Sequence, residues 1–243
     1  MNPISLSLLL GVTAAAANVL GGTIIVQKSW ERAYLRYFLG LGAGFMLATA
    51  LVEIFPESLK LRGESAAFLV LVGYLIIHFF EHTVTAHFHY GEETHRDAFL
   101  HAHKGLSVLG GLVIHTFFDG IAIASGFLIS NWLGWIIFLA IILHKIPEGF
   151  TATSVMLASG RGRKTAWAAS VLMGAATFAG VLTMALFRRE VSFGLPISAG
   201  VTIYIAASDL IPEVNREPGA GMALVVFLGV GLFFLIEHIA HVH

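Results

Sequence analysis

The sequence predicts an all-α membrane protein of eight transmembrane helices. Three observations carry that expectation: long uninterrupted apolar runs, a scarcity of charge, and a motif repeated at a fixed offset. Of 243 residues, 57% are hydrophobic, and full charges are limited to 14 Lys+Arg and 15 Asp+Glu. The charged fraction is 12%, about half that of a soluble domain, and the mean hydropathy is +0.83. These values exclude a soluble enzyme and a disordered chain. A net charge of -1 offers no basic footprint for nucleic acid. With no cysteine, disulfides, iron–sulfur clusters, thiolate metal sites and cysteine nucleophiles are excluded as well. Twelve histidines nearly equal the lysines and arginines combined.

A hydrocarbon core about 30 Å thick takes roughly 20 apolar residues per helix. Eight runs meet that length: 4–26, 34–55, 66–82, 106–128, 132–156, 165–187, 192–213 and 219–240. They are continuous rather than alternating, which argues for helices over barrel strands. The first lacks a basic leader and reads as a span, not a signal peptide. The second carries Gly40 and Gly44, a small-residue face for close helix approach, and ends at Pro56. The third ends in Glu81-His82. The fourth and fifth hold the polar motifs described below, and Trp132 and Trp135 anchor the start of the fifth at an interface. The sixth has no acid; the seventh carries Gly194 and Gly200 and ends at Asp209-Leu-Ile-Pro212-Glu213; the eighth carries Glu237-His238. The domain expectation is one transmembrane unit, 1–243, with a histidine-rich cytoplasmic loop at 83–105.

Orientation follows from basic residues in the loops. With the N-terminus outside, the cytoplasmic loops hold Lys28, Arg32, Arg36, Arg96, Lys104, Arg161, Arg163, Lys164 and Arg216, and the outer loops only Lys60, Arg62, Arg188 and Arg189. Both termini then face outward.

Glu53-Ile-Phe-Pro56-Glu57 closes the second span, and Asp209-Leu-Ile-Pro212-Glu213 closes the seventh, at a constant offset of 156 (53 to 209, 81 to 237) that also relates Glu81-His82 to Glu237-His238. Gly44 and Gly200, Gly63 and Gly219, and Gly73 and Gly229 fall on it too. Spans 1–3 and 6–8 therefore read as two copies of one unit. Equivalent helices are five spans apart, so the copies are inverted. Inverted repeats are a hallmark of secondary transporters, with the site near the midplane at the repeat interface.

Spans 4 and 5 lie between the copies and carry the costliest residues. One reads His115-Thr116-Phe117-Phe118-Asp119-Gly120 and the other His144-Lys145-Ile146-Pro147-Glu148-Gly149. Each places an imidazole and a carboxylate at i and i+4, on one helical face about 6 Å apart. Facing one another, the helices present two nitrogens and two carboxylates, a donor set suited to a borderline divalent cation such as zinc. Burying a charge at mid-bilayer costs at least ~2.5–3.5 kcal/mol. The bland alternative is a His–carboxylate hydrogen-bonded network that holds the bundle together. Pro147 lacks an amide hydrogen, frees the carbonyl of Leu143, and permits a kink beside the cluster.

The HTFFDG and HKIPEG segments resemble the central motifs of the ZIP family of divalent-metal transporters, of prokaryotic type. The eight spans, the histidine-rich loop after the third and the SDLIPE end of the seventh are similar as well. The resemblance implies a 3+2+3 helix arrangement, a homodimer, and movement of Zn²⁺, or of Fe²⁺, Mn²⁺ or Cd²⁺, toward the cytoplasm by alternating access. It implies that His115, Asp119, His144 and Glu148 form the primary metal site, with Met46 of span 2 matching a thioether ligand. The metal is then the substrate, and no organic cofactor is expected. The setting is a plasma membrane or bacterial inner membrane.

The sequence departs from the two-metal pattern of some family members. Where those carry second-site ligands, this chain has Thr116, Lys145 and, by a looser alignment, Gly174. The expectation is a mononuclear site in which the Lys145 ammonium takes the place of a second ion and keeps His144 and Glu148 in metal-ready forms. The alternative is a lysine that snorkels away or merely pairs with Asp119 or Glu148.

Acidic groups at pore mouths concentrate cations and relay them through weak sites. Glu53, Glu57, Glu237 and His238 approach the outer surface; Asp209, Glu213, Glu81, His82 and His78 approach the inner one. Helix-end carboxylates that pair with Arg62 or Arg216 are the plainer reading. His87, His89, His95, His101 and His103 of the loop are expected to bind metal weakly, since their spacing matches no closed tetrahedral motif. The competing function is an intramembrane metal-dependent enzyme, a lipid hydrolase or an oxygenase, which needs an open metal position for water. No phosphate-binding loop for nucleotide is present, which disfavours primary active transport.

Overall fold

The computed structural model describes residues 2–27, 32–83, 102–215 and 220–242. Among them every regular element is helical. The chain runs α1 (Pro3–Gln27), α2 (Arg32–Ala48), a π-helical turn (Thr49–Ile54), α3 (Phe55–Arg62), α4 (Ser65–Thr83), α5 (Ala102–Ile129), α6 (Asn131–Ala158), α7 (Arg163–Leu186), a 3₁₀ turn (Arg188–Glu190), α8 (Val191–Tyr204), a second π-helical turn (Ile205–Leu210), α9 (Ile211–Asn215) and α10 (Ala220–Val242). Among the described residues, eight stretches are long and apolar enough to cross a membrane, as the hydropathy predicts. The second continues beyond its expected end at residue 55, through the π turn and α3 to Arg62. Lys60 and Arg62 thus lie on a helix rather than in a loop.

The two π turns occupy equivalent positions of the repeat, 49–54 and 205–210. Each precedes a proline, Pro56 or Pro212. A proline has no N–H to donate to the carbonyl four residues back, and its ring crowds that carbonyl. Widening the turn relieves the conflict: the amide of Phe55 donates to Ala50 O, and that of Ile211 to Ala206 O, both five residues back. Each widened turn carries an acidic residue, Glu53 in the first and Asp209 in the second. Pro147 behaves differently, because α6 runs through it without interruption.

The internal repeat is legible in the packing. Gly44 on α2 lies against the carbonyl of Val226 on α10, and Gly200 on α8 against that of Val70 on α4. Gly73 and Ile197, and Gly229 and Leu41, form a second equivalent pair of close approaches. Each half thus exchanges its third span: α4 packs on α8, and α10 on α2. At every one of these positions a Cβ would overlap a backbone oxygen, so the glycines are required by the crossing.

Burial places the centre of the molecule. The spans formed by α5 and α6 are the most buried; α4 and α10 are the least. The α5–α6 pair is enclosed by α1 and α7, with α1 packed on α6 and α7 packed on α5. This accounts for the hydropathy paradox of the sequence. The most polar spans are shielded by apolar ones, which turn large side chains such as Phe68, Phe227 and Leu228 outward.

Candidate metal site

His115 and Asp119 stand one turn apart on α5, and His144 and Glu148 one turn apart on α6. The four side chains are at most 2% exposed. They converge: one candidate ligand atom from each lies within 4.8 Å of all the others. The imidazole rings tilt together with centroids 5.8 Å apart. Asp119 Oδ2 is the point of convergence, 3.3 Å from His115 Nε2 and 3.4 Å from His144 Nε2, while His115 Nε2 is 3.6 Å from Glu148 Oε1. Metal–nitrogen and metal–oxygen bonds of about 2.0–2.1 Å in a tetrahedron separate ligand atoms by roughly 3.3 Å. These three separations lie close to that edge length, and every other pair of ligand atoms lies within 4.8 Å.

The protonation pattern suits ligation. His144 Nδ1 donates to the carbonyl of Ala140 one turn back, at 3.0 Å. A carbonyl only accepts, so in the neutral ring Nε2 carries the lone pair, and Nε2 is the nitrogen aimed at Asp119. Among the described residues, neither ring nitrogen of His115 has a hydrogen-bond partner, and nor has Asp119 Oδ1. Buried polar atoms are rarely left this way in a site that serves only as a hydrogen-bonded network. The observation weakens the plainer reading of the four residues.

Lys145 and Thr116 complete the cluster. Lys145 is fully buried and does not snorkel. Its Nζ lies 2.5 Å from Asp119 Oδ2, 2.6 Å from Glu148 Oε2 and 3.4 Å from Thr116 Oγ1. The Thr116 hydroxyl donates to Glu148 Oε1. Of the two alternatives for this lysine, pairing with the carboxylates is thus the geometry observed, and it engages both. Gly174, the loosely aligned third position, faces the Ala15 backbone of α1. Met46 is fully buried in the apolar core of α2, a setting that packing alone explains.

The glycine that follows each carboxylate has a structural purpose. Gly120 lies against the carbonyl of Thr177 on α7, and Gly180 of α7 against that of Phe117. Gly149 lies against the carbonyl of Asn18 on α1, and Gly21 of α1 against that of Ile146. Each motif helix is thereby clamped backbone to backbone from behind. Asn18 Nδ2 also reaches Thr177 Oγ1 at 3.5 Å, joining the two clamping helices.

The residues expected to line entry and exit have mixed surroundings. Glu53 Oε1 accepts from Trp132 Nε1 at 3.0 Å, so this tryptophan holds a carboxylate in addition to sitting at a helix start. Glu57 pairs with exposed Lys60 at 2.8 Å, and Arg62 turns instead to Ser192 Oγ and the ring of Phe193. An exposed pair of this kind adds little stability. On the opposite side, Tyr204 donates to Glu81 Oε2 at 2.8 Å, Asp209 is buried, and Tyr74 Oη lies 3.1 Å from Ser208 Oγ. The rings of His78 and His82 stack at 4.0 Å, with His82 Nδ1 2.9 Å from the carbonyl of His78. Glu237 is half-buried and His238 exposed. His87, His89, His95 and His101 lie outside the described residues, as do the side chains of Glu213 and His103.

The family model for the ZIP zinc transporters matches residues 92–237, more than half of the chain. Among curated proteins, the zinc transporter zipt-7.1 of Caenorhabditis briggsae is 25% identical over an alignment of 312 residues that covers 96% of this chain and 78% of the relative. The zinc transporter SLC39A7 of Rattus norvegicus is 29% identical over 151 residues, 56% of this chain and 32% of its own length. The zinc transporter ZIP13 of Danio rerio is 29% identical over 137 residues, 51% of this chain and 38% of its own length. This chain is thus much shorter than the vertebrate relatives it matches. Membership in a family of transporters sets aside the intramembrane enzyme. By its paired motifs, its eight apolar helices and the match of the family model, this chain belongs to the ZIP zinc transporter family.

Proposed function

We infer that this protein carries Zn²⁺, or a similar divalent transition-metal ion, across a membrane toward the cytoplasm by alternating access. His115, Asp119, His144 and Glu148 hold the ion in transit. The observation that carries this reading is the meeting of two imidazoles and two carboxylates from neighbouring helices, all buried and with ligand atoms within 4.8 Å of one another. Met46 is a fifth candidate ligand. The site is mononuclear, because the Lys145 ammonium stands against both carboxylates and would repel a second ion.

Glu53, Glu57, Glu237 and His238 serve the outer approach, and Asp209, Glu213, Glu81, His82 and His78 the inner one. Both termini face outward, by the distribution of basic loop residues. The loop histidines His87, His89, His95, His101 and His103 buffer arriving metal. The working unit is a homodimer in a plasma or bacterial inner membrane, with no organic cofactor. The test is uptake of Zn²⁺ into proteoliposomes loaded with a zinc-responsive dye. Wild type is expected to fill the vesicles, and Asp119→Ala and His144→Ala to abolish uptake while remaining folded. Unimpaired uptake by both variants, or two transport-site ions per chain in wild type, sinks this assignment.

A further inference from the structure

Resting on the site assignment above, the ammonium of Lys145 has a consequence beyond the exclusion of a second ion. It offers three donors and meets Asp119 Oδ2, Glu148 Oε2 and Thr116 Oγ1. The oxygen it grips most closely, Asp119 Oδ2, is the same atom on which His115 Nε2 and His144 Nε2 converge. Lysine and a divalent ion therefore compete for one atom. A carrier must reorient twice per cycle, once loaded and once empty. Loaded, its two buried carboxylates are neutralised by cargo. Empty, they would cross the low-dielectric state as an uncompensated pair, which is strongly disfavoured.

We propose that Lys145 is a tethered counter-cation for the empty transporter. With no metal bound, its ammonium bridges Asp119 and Glu148 and permits the empty protein to reorient. When metal arrives, the ammonium yields Asp119 Oδ2 to the ion. Glu148 Oε2 and Thr116 Oγ1, both already within its reach, keep hold of the displaced ammonium, so the loaded cluster carries a single positive charge and the empty, bridged one a single negative charge in place of two. The lysine is then a positioning residue for the return step, and the metal-bound step does not need it.

Separating the two steps tests this. The full-length protein is placed in proteoliposomes with voltage clamped by potassium and valinomycin, and Zn²⁺ is the only probe. Zinc-for-zinc exchange, with the ion on both sides, reports the loaded step alone. Net uptake into metal-free vesicles requires the empty return. In Lys145→Met the ratio of net uptake to exchange is expected to fall at least tenfold below that of wild type, whatever the absolute rate of exchange. Lys145→Arg, which keeps the charge, is expected to restore most of the net uptake, and it remains informative if the methionine variant fails to fold. Equal loss of exchange and net uptake in Lys145→Met, or lost net uptake with intact exchange in Lys145→Arg, overturns the proposal. Absence of both fluxes in wild type overturns the site assignment itself.

Discussion

Replacing Gly149 by alanine tests whether the backbone clamp behind the cluster determines its geometry. A Cβ built at Gly149 stands 2.7 Å from the carbonyl carbon of Asn18 and 2.9 Å from its Cα, and closer still to its oxygen. Comfortable carbon–carbon contacts are about 3.5–4.0 Å, so α1 and α6 must separate by about 1 Å. No flexible side chain is available to absorb the shift, because all three nearest atoms are backbone. Overpacking of this type costs about 3 kcal/mol at the upper end of its usual range. Alanine's helix propensity returns about 1 kcal/mol, leaving a net loss of about 2 kcal/mol. For a protein of this size that lowers the melting temperature by about 4–8 °C. Gly110 on α5 is the control, since a Cβ there meets nothing within 4 Å; Gly110→Ala is expected to raise the melting temperature by about 2–4 °C. Calorimetric metal titration supplies the functional readout: Zn²⁺ affinity falls in Gly149→Ala, whose Glu148 is displaced, and holds in Gly110→Ala. Matching shifts for the two variants, in both assays, would refute the clamp.

Three further outcomes follow from the same coordinates. Thr116→Val removes the hydroxyl that orients Glu148 and is expected to weaken Zn²⁺ binding by about 10–100-fold with the fold intact; unchanged binding by calorimetry would mean that Glu148 is positioned without it. Metal ligands must shed their protons before they bind, so Zn²⁺ affinity is expected to fall as the solution is acidified. Calorimetric titrations that show tighter binding at the more acid pH would count against ligands that must lose a proton. Tyr204→Phe removes the hydrogen bond to Glu81 that joins α8 to α4 and is expected to cost about 1 kcal/mol of stability, seen as a lower melting temperature; no change would show that this contact adds nothing to the α4–α8 packing.

Class, number of spans and the four converging polar residues were all legible in the order of the amino acids. The reason is energetic: lipid tolerates neither an unpaired backbone nor a stray charge. A chain of this composition keeps few polar groups within its spans, and the imidazole–carboxylate pair repeated on two neighbouring spans marks out His115, Asp119, His144 and Glu148. The repeat was equally visible, because the same glycines and acids recur at one offset. Only the tertiary structure decided what those repeated residues touch. Helical periodicity states that Lys145 and Glu148 share a helix, but not that the ammonium spans to Asp119 on the neighbouring one. Nor does it disclose that Ala140 sets the tautomer of His144, that Trp132 holds Glu53, or that a widened turn precedes both Pro56 and Pro212. Such contacts join residues far apart in the chain, and their energies depend on tenths of an ångström at helix crossings, which composition and spacing do not encode.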